Sequence, residues 1–119
     1  MSLLDSPSLH IVERFLDLAA YRQSLVAGNI ANIDTPGYHT RDIDFRSELQ
    51  KVIDGCDTPE KPLPFNVPGL MQRPDGNDVS VDRESLALAQ TQIQFRIGVE
   101  LARHEFRMVS TAINEGKSS

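Results

Sequence analysis

The apolar residues between positions 7 and 33 recur at steps of three and four, which is the spacing of an amphipathic α-helix. They form two neighbouring stripes. The first stripe consists of Leu9, Val12, Leu16, Ala19, Val26, Ile30 and Ile33, with Gln23 in its one gap. The second stripe consists of Ile11, Phe15, Leu18 and Leu25, with Arg22 and Asn29 as interruptions. Together the stripes cover more than half of the helix circumference, whereas a helix that packs against a single partner needs a stripe little wider than about 100°.

The ends of this first helix are also visible in the sequence. Ser6 is a suitable N-cap, and Pro7 suits the first helical position because its missing N–H has no intrahelical acceptor there. Thr35 stands before a proline, which disfavours the α conformation and predicts that the helix stops before it. We therefore predict the first long helix at residues 7–33.

The stretch that follows is rich in polar and turn-forming residues. Pro36-Gly37 suits the middle of a type II turn, because glycine tolerates the positive φ of the third position. Asn29 and Asn32 are poor helix formers, yet they stand where a helix end needs partners for its free carbonyl groups. Asn29 also interrupts an apolar stripe. A polar residue at such a position costs stability but can fix the register between two helices.

Residues 82–114 repeat the helical spacing and predict a second long helix. Asp82 is a candidate cap, and Gly116 lies just past the predicted end. One stripe consists of Leu88, Phe95, Val99, Ala102, Phe106, Val109 and Ile113, with Thr91 in its gap. The other consists of Leu86, Ala89, Ile93, Ile97, Leu101, Met108 and Ala112. The stripe centres lie roughly 160° apart at about 100° per residue, so this helix is apolar on two nearly opposite faces. A polar strip between them is formed by Arg96, Glu100, Arg103 and Arg107.

The middle of the chain, residues 34–80, predicts a turn followed by irregular structure. Residues 43–53 fit either a short helix or an extended segment, with inward side chains at Ile43, Phe45, Leu49, Val52 and Ile53. Residues 54–80 contain five of the seven prolines, each of which removes a backbone donor. We predict a long irregular loop there, and loops of this length usually carry a function or order on binding.

These elements predict an all-α fold in one domain, residues 1–119, in which two long terminal helices pair as a helical hairpin or coiled coil around a Pro-rich middle. A hairpin of two such helices buries one face of each and exposes the other. Large exposed apolar faces mark interaction sites, so we expect the chain to complete its core with other chains. The alternative is a monomeric bundle in which residues 43–53 and the loop cover the second faces. The expected assembly faces contain Leu16, Val26, Ile30, Ile93, Phe95, Ile97, Leu101, Phe106 and Met108.

The composition of the chain argues against several classes of function. The formal net charge of −5 argues against nucleic-acid binding, which needs a basic surface. The apolar runs are too short to span a bilayer, and the first residues lack the basic and apolar regions of a Sec signal peptide. The single cysteine, Cys56, allows no internal disulfide. We therefore expect a protein that stays in the cytoplasm or leaves it by a route without a cleaved signal.

No catalytic, cofactor-binding or metal-binding pattern stands out. The histidines at positions 10, 39 and 104 lack metal-ligand spacing, and we find neither a phosphate-binding glycine loop nor a GxSxG motif. Asp42 and Asp44 stand beside Arg41 and Arg46, which indicates a solvated charged strip rather than an acid–base pair. We therefore expect no enzyme, no cofactor and no metal.

Two stretches resemble the axial proteins of the bacterial flagellum, the rod and hook family. Residues 22–45, RQSLVAGNIANIDTPGYHTRDIDF, resemble the family's N-terminal signature, and residues 79–113 resemble a C-terminal helix with a VDxDRE opening. The nearest match is one of the two small proximal rod proteins, whose usual form is ANxDTPGYKARDxDF; here His39-Thr40 replaces Lys-Ala. The matching positions are Asn29, Asn32, Asp34, Thr35, Pro36, Gly37, Tyr38, Arg41 and Asp42.

This resemblance implies a structural rod subunit that polymerises through its terminal helices into the flagellar drive shaft. It implies copies of itself and other rod proteins as partners, together with the basal-body base, meaning the MS ring and the export apparatus. It implies a periplasmic location in the basal body, reached through the flagellar type III secretion system without a cleaved signal. The alternatives are another axial rod protein such as FlgC, which is not expected to show RDIDF, or a small helical secretion adaptor or binding module.

Overall fold

A computed structural model describes residues 6–118, and it has the predicted pair of long terminal helices. The elements in chain order are α1 (Pro7–Ala31), β1 (Arg41–Asp42), α2 (Phe45–Ile53), β2 (Phe65–Asn66) and α3 (Val81–Ser118). The molecule is elongated, with extents of 71 × 25 × 17 Å. The fold is predominantly helical, as predicted, with a two-stranded sheet as the one addition that the sequence did not indicate.

The first helix begins at the predicted cap and ends two residues earlier than predicted. The Leu9 N–H donates to Ser6 Oγ at 3.1 Å, which satisfies one of the free donors at the helix start. At the other end Asn32 is the C-cap, with φ −106°, and its N–H still donates to the carbonyl of Gly28. The chain leaves the helical conformation at this asparagine, ahead of Pro36.

Residues 43–53 form a helix rather than an extended segment. The Asp44 carboxylate caps α2 by accepting from the Ser47 N–H at 3.1 Å. Ile43 and Val52 are buried as predicted. The prediction that Ile53 points inward was wrong, because this residue is the last of the helix and 54% exposed. Successive residues differ by about 100° around a helix, so Val52 occupies the inward direction.

The second long helix extends beyond both of its predicted ends. It begins at Val81, and the Arg83 N–H donates to Ser80 Oγ at 3.3 Å. The capping role predicted for Asp82 therefore belongs to Ser80. Gly116 lies inside α3 rather than past its end. A glycine costs a helix only about 1 kcal/mol, so it does not by itself stop one.

Apart from Ile30, which is exposed, both apolar stripes of α1 are largely covered within the chain. The second stripe packs on α2 and the segment before it, where Leu18, Ile43 and Val52 form the centre of a hydrophobic cluster. The rings of Phe15 and Phe45 meet edge to face, with their centroids 5.3 Å apart. For α1, therefore, the monomeric alternative describes the structure correctly, since the short helix covers the second face.

The first stripe of α1 faces α3, and the two helices run antiparallel. Their contacts join Leu16 to Gly98, Arg22 to Gln90 and Asn29 to Glu84. Gly98 permits a close approach, because a Cβ there would lie 2.6 Å from Leu16 Cδ2 and 3.0 Å from Phe15 Cδ1. The hairpin thus closes around a side-chain-free position on α3.

The middle segment is mostly irregular and lies against α1. Its β2 residues pair antiparallel with β1, Asp42 opposite Phe65. The Asp57 carboxylate bridges His10 Nε2 at 3.0 Å and Arg14 Nε at 3.4 Å. Lys61 Nζ lies 5.4 Å from the centre of the Tyr21 ring. Ion pairs and a cation–π contact therefore hold residues 57–61 beside the first helix.

Replacing Gly98 by alanine should destabilise the hairpin, whereas the same change at Gly116 should not. Both changes improve helix propensity by up to about 1 kcal/mol. Only the first meets a packed neighbour, since nothing lies within 4 Å of a Cβ at position 116. Overpacking costs roughly 1–3 kcal/mol, so Gly98→Ala should be the less stable variant by at least about 1 kcal/mol in urea denaturation. Equal stability of the two variants would contradict this packing.

Candidate assembly site

The most prominent surface feature is the exposed apolar surface along α3. Its large side chains are between 39% and 62% exposed. They are Leu86, Ile93, Phe95, Ile97, Leu101, Phe106, Met108 and Ile113. All eight belong to the two stripes that the sequence predicts on opposite faces of this helix: Phe95, Phe106 and Ile113 to the first stripe and the other five to the second. Because α1 packs on only one side of α3, the described residues leave the second stripe, on the other side, open to solvent along the helix. This open stripe is the apolar face of α3.

Seven of the nine predicted assembly residues are exposed: Ile30, Ile93, Phe95, Ile97, Leu101, Phe106 and Met108. The other two lie inside the hairpin. Leu16 packs at Gly98. Val26 is only 1% exposed, since it lies on the face of α1 that is turned toward α3. Val26 therefore belongs to the interior of the hairpin and not to the exposed surface.

The predicted polar strip of α3 lies beside this apolar face. Arg96, Glu100, Arg103 and Arg107 are all exposed. Arg103 Nη1 donates to Glu100 Oε1 at 2.8 Å, one turn away on the same helix. Exposed pairs of this kind contribute little to stability, so this strip is a charged border to the apolar face.

The second part of the site is a buried polar cluster, here called the polar clamp and defined as Arg22, Asn29, Asp42, Arg83 and Glu84. Asn29 lies at its centre and is completely buried. Its Nδ2 donates to Glu84 Oε2 at 3.0 Å and to the Arg41 carbonyl at 2.9 Å. Its Oδ1 accepts from the Arg41 N–H at 3.0 Å and from the Tyr38 hydroxyl at 3.2 Å. The amide thus uses both donors and both acceptor positions.

Asp42 carries the other half of the polar clamp. Its Oδ2 accepts from Arg83 Nη2 at 2.7 Å, and its Oδ1 accepts from Arg22 Nε at 3.1 Å. Arg83 Nη1 in turn donates to Glu84 Oε1 at 2.8 Å. The expectation of a solvated strip was wrong for Asp42, which is only 4% exposed. Its partners are arginines on α1 and α3, which neighbouring positions in the sequence do not reveal.

The pKa of Asp42 lies below its usual value. Burial raises the pKa of this carboxyl. Hydrogen bonds from Arg22, Arg83 and the Ile43 N–H together lower the pKa by more than burial raises it. Burial lowers the pKa of Arg83, but its contacts with the Asp42 and Glu84 carboxylates raise the pKa to a net value above the usual one. Asp42 is therefore charged at neutral pH, and its buried carboxylate is stabilised by the two arginines.

The Pro-Gly turn has the predicted geometry. Gly37 has φ +75°, and the Tyr38 N–H donates to the Thr35 carbonyl at 3.2 Å. Asp34 and Pro36 are exposed at this turn. The Thr35 hydroxyl donates to Asn32 Oδ1 at 3.0 Å.

A second turn, which the sequence analysis did not single out, packs against the first. Gly76 has φ +87°, and a Cβ there would lie 3.2 Å from the Gly37 Cα. The Gly37 N–H donates to the Asp75 carbonyl at 2.9 Å. The Pro74-Asp75-Gly76 sequence is itself a turn signal, so this element was detectable, although its contact with the first turn was not.

The second turn also supplies partners for the carbonyl groups at the end of α1. The buried Asn77 donates from Nδ2 to the carbonyls of Asn32 at 2.8 Å and Thr35 at 2.9 Å. The Arg73 guanidinium donates to the Ile33 carbonyl. A helix end inside a protein needs such partners, and here they come from residues 40 to 45 positions away.

Asp78 ties the second turn to the strand region. Its Oδ1 accepts from the Thr40 N–H at 2.7 Å and from the Thr40 hydroxyl at 2.8 Å, and His39 Nδ1 lies 3.3 Å from its Oδ2. Burial raises the pKa of Asp78, and these contacts lower it to a net value below the usual one. Sequence reasoning missed this residue because nothing in its own neighbourhood marks it.

The structure describes neither a metal-binding cluster nor a membrane-spanning helix within residues 6–118. In that range, no group of three or more His, Cys, Asp or Glu side chains is arranged to hold a metal ion. None of the helices there combines the length and the apolar character that crossing a membrane requires.

Comparisons with known proteins connect these features to one family. The model of the family described as Flagella basal body rod protein matches residues 16–39, which run from α1 through the Pro-Gly turn. The chain is 31% identical to the flagellar basal body rod protein FlgB of Escherichia coli, over 92% of this chain and 94% of that protein. It is 31% identical to FlgB of Bacillus subtilis, over 98% and 100%. It is 30% identical to FlgB of Salmonella typhimurium, over 92% and 94%.

Replacing Asp42 by asparagine should lower stability and flatten its dependence on pH. A carboxyl whose folded pKa lies below the unfolded value of about 3.9 stabilises the fold above that pH and stops doing so as pH falls through the folded pKa. At pH 7 the variant should lose roughly 3 kcal/mol, because two arginines lose a buried partner. In urea denaturation between about pH 5 and 2, its stability should fall less steeply than that of the parent chain.

The matched control is Asp44→Asn. Asparagine caps a helix about as well as aspartate, and this position lies outside the polar clamp. The control should keep the steep pH dependence of the parent. A parent-like pH dependence in Asp42→Asn would contradict the assigned role of the carboxylate.

Proposed function

This chain belongs to the family of the flagellar basal body rod protein FlgB and is a structural subunit of the proximal rod, and we propose that it polymerises through its two terminal helices to form part of the drive shaft. The observation that carries the proposal is the exposed apolar face of α3. Burying apolar surface is the main favourable term in protein association. A subunit that folds alone but leaves this face open gains stability by packing it against a neighbouring subunit.

The partners in this proposal are helices of the same kind. Copies of this chain and other rod proteins would cover the α3 face, with Ile30 of α1 adding to the contact at the turn end. The predicted contacts with the basal-body base, meaning the MS ring and the export apparatus, belong to the same proposal. Their support is family membership, together with two exposed apolar side chains in the middle segment, Leu63 and Met71.

We place the subunit in the periplasmic part of the basal body, after export through the flagellar type III system without a cleaved signal. A single cysteine, Cys56, means that no disulfide within the chain has to form or break along that route. The family signature at Asn29, Asn32 and the Pro-Gly turn would shape the chain where it leaves α1.

We also assign the chain no catalytic role. Two of the three histidines are engaged in contacts that hold the fold. His10 pairs with Asp57, and His39 pairs with Asp78. A structural role accounts for these pairs without a reaction.

Replacing Ile97 by aspartate should impair rod assembly while the subunit still folds. Ile97 is 48% exposed near the middle of the α3 face, so a charge there should cost the monomer little but should be buried in the assembly. Cells that lack the gene and carry this variant should swim poorly. Gln92→Asp is the control, since Gln92 is exposed on the same helix. Normal swimming with Ile97→Asp, or with the gene deleted, would refute the proposal.

A further inference from the structure

We propose that the polar clamp sets the register between α1 and α3 and thereby how far the apolar end of α3 projects beyond α1. The positioning residues are Asn29 on one helix and Glu84 on the other, with Arg83 and Asp42 completing the contact. The consequence for assembly rests on the proposed function, whereas the register itself does not.

The polar clamp links three parts of the chain that are far apart in sequence. Asn29 in the last turns of α1 bonds to Glu84 in the first turn of α3. Glu84 bonds to Arg83, and Arg83 bonds to Asp42 in the strand segment. Asp42 returns to α1 through Arg22, which lies seven residues before Asn29 on the same helix. The contacts therefore form a closed circuit in which each member restrains the others.

The apolar contacts between the helices do not select a register as sharply as the polar clamp does. Val12, Ala19 and Val26 recur every seven residues along α1, and a repeating apolar stripe can shift along its partner at modest cost. A shift of one turn would separate Glu84 from Asn29 and Arg83 from Asp42, so the buried Asn29 amide and the buried Asp42 carboxylate would each lose a partner. Buried polar and charged groups that lose a partner cost more than a misplaced methyl group. The polar clamp thus disfavours every register in which Asn29 and Glu84 do not meet.

The register decides how much of α3 lies beyond α1. The helices contain 38 and 25 residues, so α3 is longer by roughly 20 Å at about 1.5 Å per residue. With Asn29 beside Glu84, the surplus falls at the C-terminal end of α3. That end carries the exposed Met108 and Ile113. Subunits with a shifted register would present this apolar surface at the wrong height to a neighbouring subunit.

The test measures register directly in the full-length chain. A Cys56→Ser background carries two nitroxide labels, at the exposed positions Glu13 on α1 and Gln92 on α3. Pulsed electron paramagnetic resonance should give one distance in the parent. The double variant Asn29→Leu/Glu84→Leu should add a second distance that differs by about one helical turn, roughly 5 Å.

Two further variants separate positioning from general stability. Glu84→Gln keeps an oxygen that can accept from Asn29 and should retain the single distance. Arg103→Ala removes the exposed ion pair with Glu100 on the same helix and should also leave the distance unchanged. If the double leucine variant does not fold, Glu84→Ala decides, since it leaves the two arginine contacts of Asp42 in place.

A single, unchanged distance in the double leucine variant, or in Glu84→Ala if only that variant folds, would overturn the proposal. Loss of folding in both the double variant and Glu84→Ala would also overturn it, because it would show that the contact serves stability. The measurement uses the unassembled chain. A negative result would therefore contradict the proposed role of the polar clamp without contradicting the rod assignment. The rod assignment is tested separately, by the swimming of cells that carry Ile97→Asp.

Discussion

The hydrogen bond between Asn29 and Glu84 is the contact on which most of this structure depends. Both side chains are completely buried, and neither can be buried without a polar partner at acceptable cost. Meeting that requirement brings the end of α1 against the start of α3. It also draws in the backbone of Arg41 and the hydroxyl of Tyr38. The Pro-Gly turn after α1 must then return the chain to this point, which explains why the segment contains so many turn-forming residues.

The two long helices differ in how they are packed, because only α1 has other parts of the chain on both of its apolar sides. For α1, the short helix α2 packs on the stripe around Leu18, and α3 covers the other. For α3, α1 covers one face and the described residues leave the opposite face open. The chain is therefore internally complete at its turn end and incomplete along α3. That asymmetry suits a rod subunit, which needs a defined shape of its own and an apolar surface for its neighbours.

Much of the fold follows from local patterns in the sequence. The helix spacing, the Ser6 cap, the Pro-Gly turn and the interruption of an apolar stripe by Asn29 are all signals that neighbouring residues carry. Two of the errors, those at Asp42 and Asp82, have one cause. Asp42 looks solvated beside Arg41, and Asp82 looks like a cap, because local sequence does not show which distant group competes for the position. In the structure, Arg22 and Arg83 donate hydrogen bonds to the Asp42 carboxylate, and Ser80 caps α3.

The sequence by itself determined two long helices, a surplus of apolar surface and membership of a rod family, since periodicity, capping and motifs act over a few residues. Only the tertiary structure decided which stripe α2 covers, that Val26 is internal, and that Glu84 is the partner of Asn29. These two residues are 55 positions apart. A contact across that distance depends on how whole elements pack, and a polar side chain is energetically defined only once its partner is in place.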